Sequence, residues 1–196
     1  MKNPICFIIL ICITFLSFIN CSKTTNYERG ILTETGFESK YLNIRFTLPE
    51  GFLMATEEDM RTIMGIGSEV TGIDSNIANL TTVYEMMVSA PIGIPNVSLM
   101  AEKLLLSNMT VEQYFDSLKK ILSNVETLNY EFDNQITSIE IAGQTYKQLS
   151  TSLPNFNIFQ NYIFRKKGNR MIGFITIHSL DTKQDLEFLM SRFYKF

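Results

Sequence analysis

The densest pattern of β-branched and aromatic residues lies between Asn157 and His178. Its two halves are apolar at most positions and are separated by Lys167-Gly168-Asn169. Such runs around a short glycine turn are typical of a β-hairpin. Apolar residues fall on both faces of each half, so both faces need a covering layer. We therefore predict a central hairpin of a sheet with other structure packed on each side.

Further strand patterns precede this hairpin and are separated by proline or glycine turns. They are residues 27–35, residues 41–48, the pair 80–90 and 96–104, and the pair 130–142 and 144–153. In residues 41–48, apolar and polar residues alternate strictly before the turn at Pro49-Glu50-Gly51. Strict alternation predicts a strand with one buried face, and tight turns between consecutive strands predict antiparallel pairing.

Two stretches in the first two thirds of the chain favour helices. Thr110 and Gln113 form a capping-box pattern, and apolar residues then recur at helical spacing as far as Leu122. Thr56 is followed directly by acidic residues, which favour the start of a helix. The glycine-rich residues 65–79 are predicted to form a loop.

A last helix is expected near the C-terminus, beginning at Asp181 or Thr182. Its apolar face is predicted to consist of Leu186, Leu189, Met190 and Phe193. The whole order of elements predicts an α+β fold, in which a curved antiparallel sheet of about six to eight strands is flanked by helices on both faces. Residues 27–196 are expected to form one globular domain.

Several of these segments resemble the PsbP/Mog-like group of proteins. The segments are residues 41–52, which end in Pro-Glu-Gly-Phe, residues 110–122, residues 141–146 and residues 160–170. The chain departs from the group at Phe52, where tryptophan is commoner. The resemblance implies a small bacterial lipoprotein with a PsbP/Mog-like α-β-α sandwich. Relatives include photosystem II extrinsic subunits and a Ran-binding protein, and no residue here matches their functional residues, so neither role carries over.

The first residues resemble a bacterial lipoprotein leader. Lys2 precedes an uncharged apolar run over residues 5–19, which is short for a membrane span of about 20 residues. Cys21 follows directly, as at sites where the thiol is acylated with a fatty acid such as palmitate and the chain is cut before it. The residues before it, Phe18-Ile19-Asn20, depart from the usual small residues. We predict a signal peptide over residues 1–20, lipidation at Cys21 and a tether over residues 21–26; an uncleaved signal anchor is the alternative.

Either reading of the leader places the domain outside the cytoplasm, on the membrane of a bacterial envelope. The three cysteines are Cys6, Cys12 and Cys21. No cysteine follows Cys21, so no disulfide or thiol nucleophile is expected in the domain. The formal net charge of −3 gives no broad basic field for nucleic acid.

His178 is the only histidine of the chain, and Ser179 and Asp181 follow it closely. A hydrolase triad needs its base between a nucleophile and a carboxylate in space, which neighbouring positions in sequence do not provide. We therefore interpret His178 as the end of a strand and predict no catalytic residue.

No metal or cofactor site is predicted. A single histidine without free cysteines does not make a zinc or iron site, and the acidic residues 57–59 are explained better by a helix start than by calcium. The glycines at 65, 67 and 72 lack the lysine of a phosphate-binding loop. The methionines at 60, 64, 86 and 87 are interpreted as core residues rather than copper ligands.

Lys166, Lys167 and Arg170 cluster at the predicted tip of the central hairpin. A solvated turn that discourages edge pairing explains them. The more specific interpretation is contact with anionic lipid headgroups near the anchor.

Three hypotheses for function follow. The preferred one is a non-enzymatic lipoprotein that binds an envelope protein, with the loop at residues 65–79 as the contact. The alternative is a small-ligand-binding lipoprotein associated with a transporter, with a pocket between sheet and helices. The third is a hydrolase that uses Ser179 or another serine with His178.

Overall fold

The central hairpin lies in the middle of a large antiparallel sheet. The computed structural model describes residues 26–71, 81–125 and 127–196. Within these residues the strands are β1 (Ile31–Thr33), β2 (Gly36–Ser39), β3 (Ile44–Thr47), β4 (Leu53–Met54), β5 (Thr82–Ser89), β6 (Asn96–Lys103), β7 (Glu131–Phe132), β8 (Thr137–Ile141), β9 (Gln144–Leu153), β10 (Ile158–Lys167), β11 (Arg170–His178) and β12 (Phe193–Lys195). The helices are α1 (Glu57–Thr71), α2 (Val111–Ser123) and α3 (Lys183–Met190).

Eight of the described strands form the large sheet, in the order β4-β5-β6-β11-β10-β9-β7, with β8 also paired to β9. The predicted hairpin is β10 and β11, which pair from Phe159 opposite His178 to Lys167 opposite Arg170. Gly168 in the turn has a φ of 61°, a conformation that glycine adopts without steric penalty. The prediction of an α+β fold with a large antiparallel sheet is confirmed.

A second sheet of four described strands, in the order β1-β2-β3-β12, was not predicted. Its apolar side chains Phe37, Ile44 and Phe46 join a core cluster with Phe174 of the large sheet and Leu189 of α3. The second sheet and α3 therefore cover one face of the large sheet.

Helix α2 covers the opposite face of the large sheet. Phe115 and Leu122 of α2 pack with Tyr162 and Phe164 of β10 in a second core cluster. The capping box that begins this helix is present, because Thr110 Oγ1 accepts from the Gln113 backbone N–H and the Gln113 side chain accepts from the Thr110 N–H. A strand apolar on both faces is thus covered on both faces, as the pattern predicted.

Several element boundaries differ from those predicted, and the strand predicted over residues 130–142 is two strands, β7 and β8. Strand β3 begins at Ile44 and not at residue 41, because Asn43 has a φ of 59° and ends a turn. Helix α1 continues through Gly65 to Thr71, where a loop was expected. Phe193 is buried, but it lies in β12 and not on the last helix.

The leader and its proposed lipidation site, Cys21, lie outside the described residues, as do residues 72–79 of the predicted loop. Among the helices of the described residues, none is both long enough and apolar enough to cross a membrane.

Candidate functional site

A groove of about 600 Å³ lies between α3 and the covered face of the large sheet. Its floor is the outer part of that face, formed by β9, β10 and β11, and α3 provides a wall through Leu186 and Met190. The second sheet and α3 cover the neighbouring part of the face with apolar side chains, whereas the floor here combines polar side chains with Ile139, Phe159 and Ile163. This is the size range in which small-molecule sites occur.

A row of uncharged polar side chains crosses the floor. Asn161 of β10 lies opposite Ser150 of β9 and Thr176 of β11 in the strand register. Asn161 Nδ2 donates to Thr176 Oγ1 at 3.0 Å, and Gln148 Nε2 donates to Asn161 Oδ1 at 3.3 Å and to Ser150 Oγ at 3.0 Å. The side chains therefore hold one another in fixed orientations while each amide and hydroxyl keeps further hydrogen-bonding capacity.

His178 closes one end of this row. The residue is 8% exposed, and its ring lies 5.5 Å from the ring of Phe159, which faces it across the strand pair. Its Nδ1 atom is buried without a hydrogen-bond partner. Burial lowers the pKa of His178 below its ordinary value, Lys183 acts in the same direction, and Glu187 opposes them. The imidazole is therefore neutral near pH 7, and its Nδ1 is enclosed by protein without a hydrogen-bond partner.

Charged side chains are found on the groove's rim and not on its floor. Lys183 and Glu187 come from α3, and Asp133 comes from the segment that follows β7. All three are exposed. The groove therefore offers neutral donors and acceptors inside an entrance of mixed charge, together with the ring of Phe159.

Ser179 and Asp181 do not form a catalytic arrangement with His178. The Ser179 backbone N–H donates to Thr182 Oγ1 at 2.9 Å, and the two hydroxyls are 3.1 Å apart. Asp181 is exposed. Ser179 and Thr182 therefore stabilise the turn that precedes α3.

The acidic residues 57–59 lie in the first turn of α1. Asp59 Oδ2 accepts from the Thr56 backbone N–H at 2.9 Å and from the Thr56 hydroxyl at 2.7 Å, which caps the helix. Among the described residues, no three or more His, Cys, Asp or Glu side chains are close enough to hold a metal ion. Met60 and Met86 are buried.

The basic hairpin tip is bound to the rest of the chain. The Arg170 guanidinium lies 3.7 Å from the centre of the Tyr27 ring, and the Lys167 ammonium lies 4.5 Å from that of Tyr41. Lys166 donates to the Ser107 carbonyl. The tip therefore joins β10 and β11 to the residues at which the described chain begins.

Glu85, which no sequence pattern singled out, is 1% exposed beneath this tip. It accepts from the Tyr27 hydroxyl at 2.6 Å and from the Gly30 backbone N–H at 2.8 Å. Burial raises the pKa of Glu85, although both hydrogen bonds and the nearby Arg29 and Arg170 act in the opposite direction. Burial and the neighbouring Glu85 raise the pKa of Tyr27.

Among solved structures, the chain is similar to the solution structure of cyanobacterial PsbP from Synechocystis sp. PCC 6803. The identity is 10% and the TM-score 0.49, over 87% of this chain and 99% of that chain. No protein-family model and no curated protein matches the sequence. The similarity concerns the fold alone.

Proposed function

We propose that this protein is a membrane-anchored extracytoplasmic lipoprotein that acts as a non-enzymatic binding domain, and that it binds a small uncharged polar molecule in the groove beneath α3. The leader and Cys21 support the anchor. The observation that carries the binding role is the hydrogen-bonded row of uncharged polar side chains from Gln148 to Thr176 on the floor of the groove.

The chemistry of the floor defines the class of ligand. Amides, hydroxyls and a neutral imidazole can donate to and accept from alcohol, amide or carbonyl groups. A charged group would leave water for a floor that carries no opposite charge, which is unfavourable. The Phe159 ring gives an apolar surface for the carbon skeleton of such a molecule. A sugar-sized compound with several hydroxyl or amide groups fits this description.

The binding role is favoured over hydrolysis by the hydrogen bonds of Ser179, which run to Thr182. The segment that was predicted as a protein contact, residues 65–79, shows no comparable polar row: residues 65–71 end α1, and residues 72–79 lie outside the described residues. Delivery of the ligand to a transporter is the cellular role that suits an anchored protein of this kind.

Fatty-acid labelling tests the anchor. Cells that express the full chain are grown with a radiolabelled fatty acid, and the protein is isolated by gel electrophoresis. We expect label in the wild type and none in Cys21→Ser, with recovery in the membrane fraction lost as well. Equal labelling of both proteins, or of neither, would contradict lipidation at Cys21.

Binding is tested with a panel of sugars, polyols and uncharged amides by saturation-transfer NMR on the detergent-solubilised protein. Asn161→Leu removes the centre of the polar row with little change in size. Gln160→Leu is the matched control, because Gln160 is the preceding residue of β10 and its amide lies on the other face, where it accepts from the Tyr162 hydroxyl. We expect Asn161→Leu to weaken binding at least about tenfold, since buried polar partners are left unpaired.

Two results would contradict the binding proposal. One is equal binding by the two leucine variants. The other is a panel without any binder together with native mass spectra, recorded on protein from its own membranes, that show no bound molecule.

A further inference from the structure

The loop between β6 and α2 exposes two adjacent leucines. Leu105 is 84% exposed and Leu106 is 62% exposed. The residues on either side are anchored, because Leu104 is buried and Met109 packs against the second core cluster. The loop therefore holds both leucines out from the surface in a defined place, which is the arrangement expected of an interaction site.

Two sets of contacts place this loop at the basic hairpin tip. The Leu104 backbone N–H donates to the Asn169 carbonyl at 2.9 Å, and the Lys166 ammonium donates to the Ser107 carbonyl. Lys103, which is exposed, lies opposite Arg170 at the ends of β6 and β11. Lys103 and Lys166 thus flank the leucines.

The described chain also begins at this end of the molecule. Tyr27 lies beneath the Arg170 guanidinium and packs edge-on against Tyr41 at 5.2 Å. Six positions separate Cys21 from Tyr27. A chain of that length spans at most about 20 Å, so a lipid on Cys21 would keep Tyr27 within about 20 Å of the bilayer.

We propose that Leu105 and Leu106 insert into the bilayer that carries the anchor, with Lys103 and Lys166 at the level of its anionic headgroups. The inference rests on the lipid anchor of the proposed function. Apolar side chains bordered by lysines are the composition of surfaces that lie in the membrane interface. Insertion gives the protein a second membrane contact beside the lipid on Cys21.

The orientation that follows points the opposite end of the sheet away from the membrane. Ile92 lies there, in the turn between β5 and β6, and is 81% exposed. Strand β6 separates this turn from the leucine loop by its eight residues, or about 25 Å. Ile92 is therefore a matched control: an equally exposed aliphatic residue outside the reach of the anchor.

The test introduces a single cysteine, Leu106→Cys or Ile92→Cys, into the full chain. In the processed lipoprotein that we propose, Cys6 and Cys12 are removed with the leader and the Cys21 thiol is blocked by lipid, so the new thiol is the one that reacts with a fluorescent maleimide. Both sites are exposed, so the substitutions are tolerated. The labelled proteins are placed in vesicles of phosphatidylcholine and phosphatidylglycerol that contain nitroxide-bearing lipid.

We expect quenching of the label at 106 to exceed that at 92 at least about twofold and its emission to shift to the blue. Vesicles without phosphatidylglycerol should reduce the difference. Water-like emission at both sites in protein that carries its fatty acid would overturn the insertion and leave the anchor intact. Crosslinking of position 106 to a protein in cells, without quenching in vesicles, would also overturn it. Protein that carries no fatty acid would overturn both proposals.

Discussion

At the scale of single residues, Glu85 is a buried carboxyl group whose burial and hydrogen bonds shift its pKa in opposite directions. A carboxylate with so little exposure is stabilised by the Tyr27 hydroxyl and the Gly30 N–H, yet burial still raises its pKa. An acid with a raised pKa in the folded state contributes stability below its ordinary value, here 4.5, and that stability is lost as the pH rises through the folded-state pKa. Glu85 therefore favours the folded protein in acid.

Replacing Glu85 with glutamine removes this ionisation. We expect the stability of Glu85→Gln relative to the wild type to increase from pH 4 to pH 7, because only the wild type bears the penalty of a buried charge at the higher pH. Urea unfolding at several pH values measures the difference. Glu140→Gln, at an exposed position of β8, is the control and should show no such trend. A constant difference between Glu85→Gln and wild type would contradict the prediction.

The partner of Glu85 gives a second prediction. Tyr27→Phe removes the hydroxyl that donates to the carboxylate and leaves a buried acceptor with one donor fewer. We expect a loss of about 1–3 kcal/mol in the free energy of unfolding at pH 7. Tyr194→Phe, at an exposed position of β12, is the control and should change stability by less than about 0.5 kcal/mol. Equal effects of the two substitutions on the free energy of unfolding would show that the Tyr27 hydroxyl does not stabilise the folded protein.

The alternation of side chains along a strand shows which polar residues share a face, and this is the only sign of the groove floor and of Glu85 in the sequence. Alternation places Asn161 and Thr176 on the same face as Ile163 and Phe174, which marks two polar residues on a covered face. None of the four floor residues was singled out from the sequence, because alternation alone does not show that Gln148, Ser150, Asn161 and Thr176 meet in one row across three strands. Glu85 escaped notice because its partners, Tyr27 and Gly30, are more than 50 positions away.

At the scale of elements, local patterns predicted the helices and strands better than their ends. The capping box located the start of α2, and two-faced apolar runs located β10 and β11. The loop predicted from Gly65 onward was wrong over residues 65–71. Two glycines within three residues favour a loop by propensity alone. Helix α1 continues through them, and a methyl group at Gly65 would meet no atom within 4 Å.

A pair of glycine substitutions compares Gly65, which lies in a helix with open space around it, with Gly173, which lies in a strand against the Phe164 ring. Gly65→Ala should stabilise the protein by about 0.5–1 kcal/mol, because alanine is the better helix residue and the site is open. Gly173→Ala should destabilise it by about 1–3 kcal/mol, since the new methyl group would lie 2.5 Å from the Ile163 carbonyl oxygen and against the Phe164 ring. Thermal unfolding measures both. Destabilisation by Gly65→Ala would mean that residue 65 is not helical.

At the scale of the whole molecule, the second sheet is the feature that the sequence did not predict. The predicted strands over residues 27–35 and 41–48 contain β1 and β3, but β2 and β12 are only four and three residues long, too short for alternation to be recognised. One of them, β12, comes from the far end of the chain and pairs with β3. Pairing over such a separation leaves no local pattern, whereas the neighbouring strands β10 and β11 are joined by a visible turn.

Phe193 links the two sheets and allows their cooperativity to be tested. Its ring centre lies 4.7 Å from that of Phe46 in the second sheet and 4.9 Å from that of Phe174 in the large sheet. Phe193→Ala should reduce the free energy of unfolding by about 3–5 kcal/mol, because it leaves a cavity between the sheets. Tyr194→Ala, the next residue on the exposed side of β12, should have little effect.

The same experiment shows whether the sheets unfold together. The chain has no tryptophan and eight tyrosines, so tyrosine fluorescence and far-ultraviolet circular dichroism are the two probes. Because one core cluster contains residues of both sheets and of α3, we expect both probes to give one coincident transition in the wild type and in Phe193→Ala. Two separated transitions in the wild type would show that the second sheet unfolds independently. In that case α3, which packs in the same core cluster, would separate before the large sheet unfolds, and the groove beneath it would lose that wall.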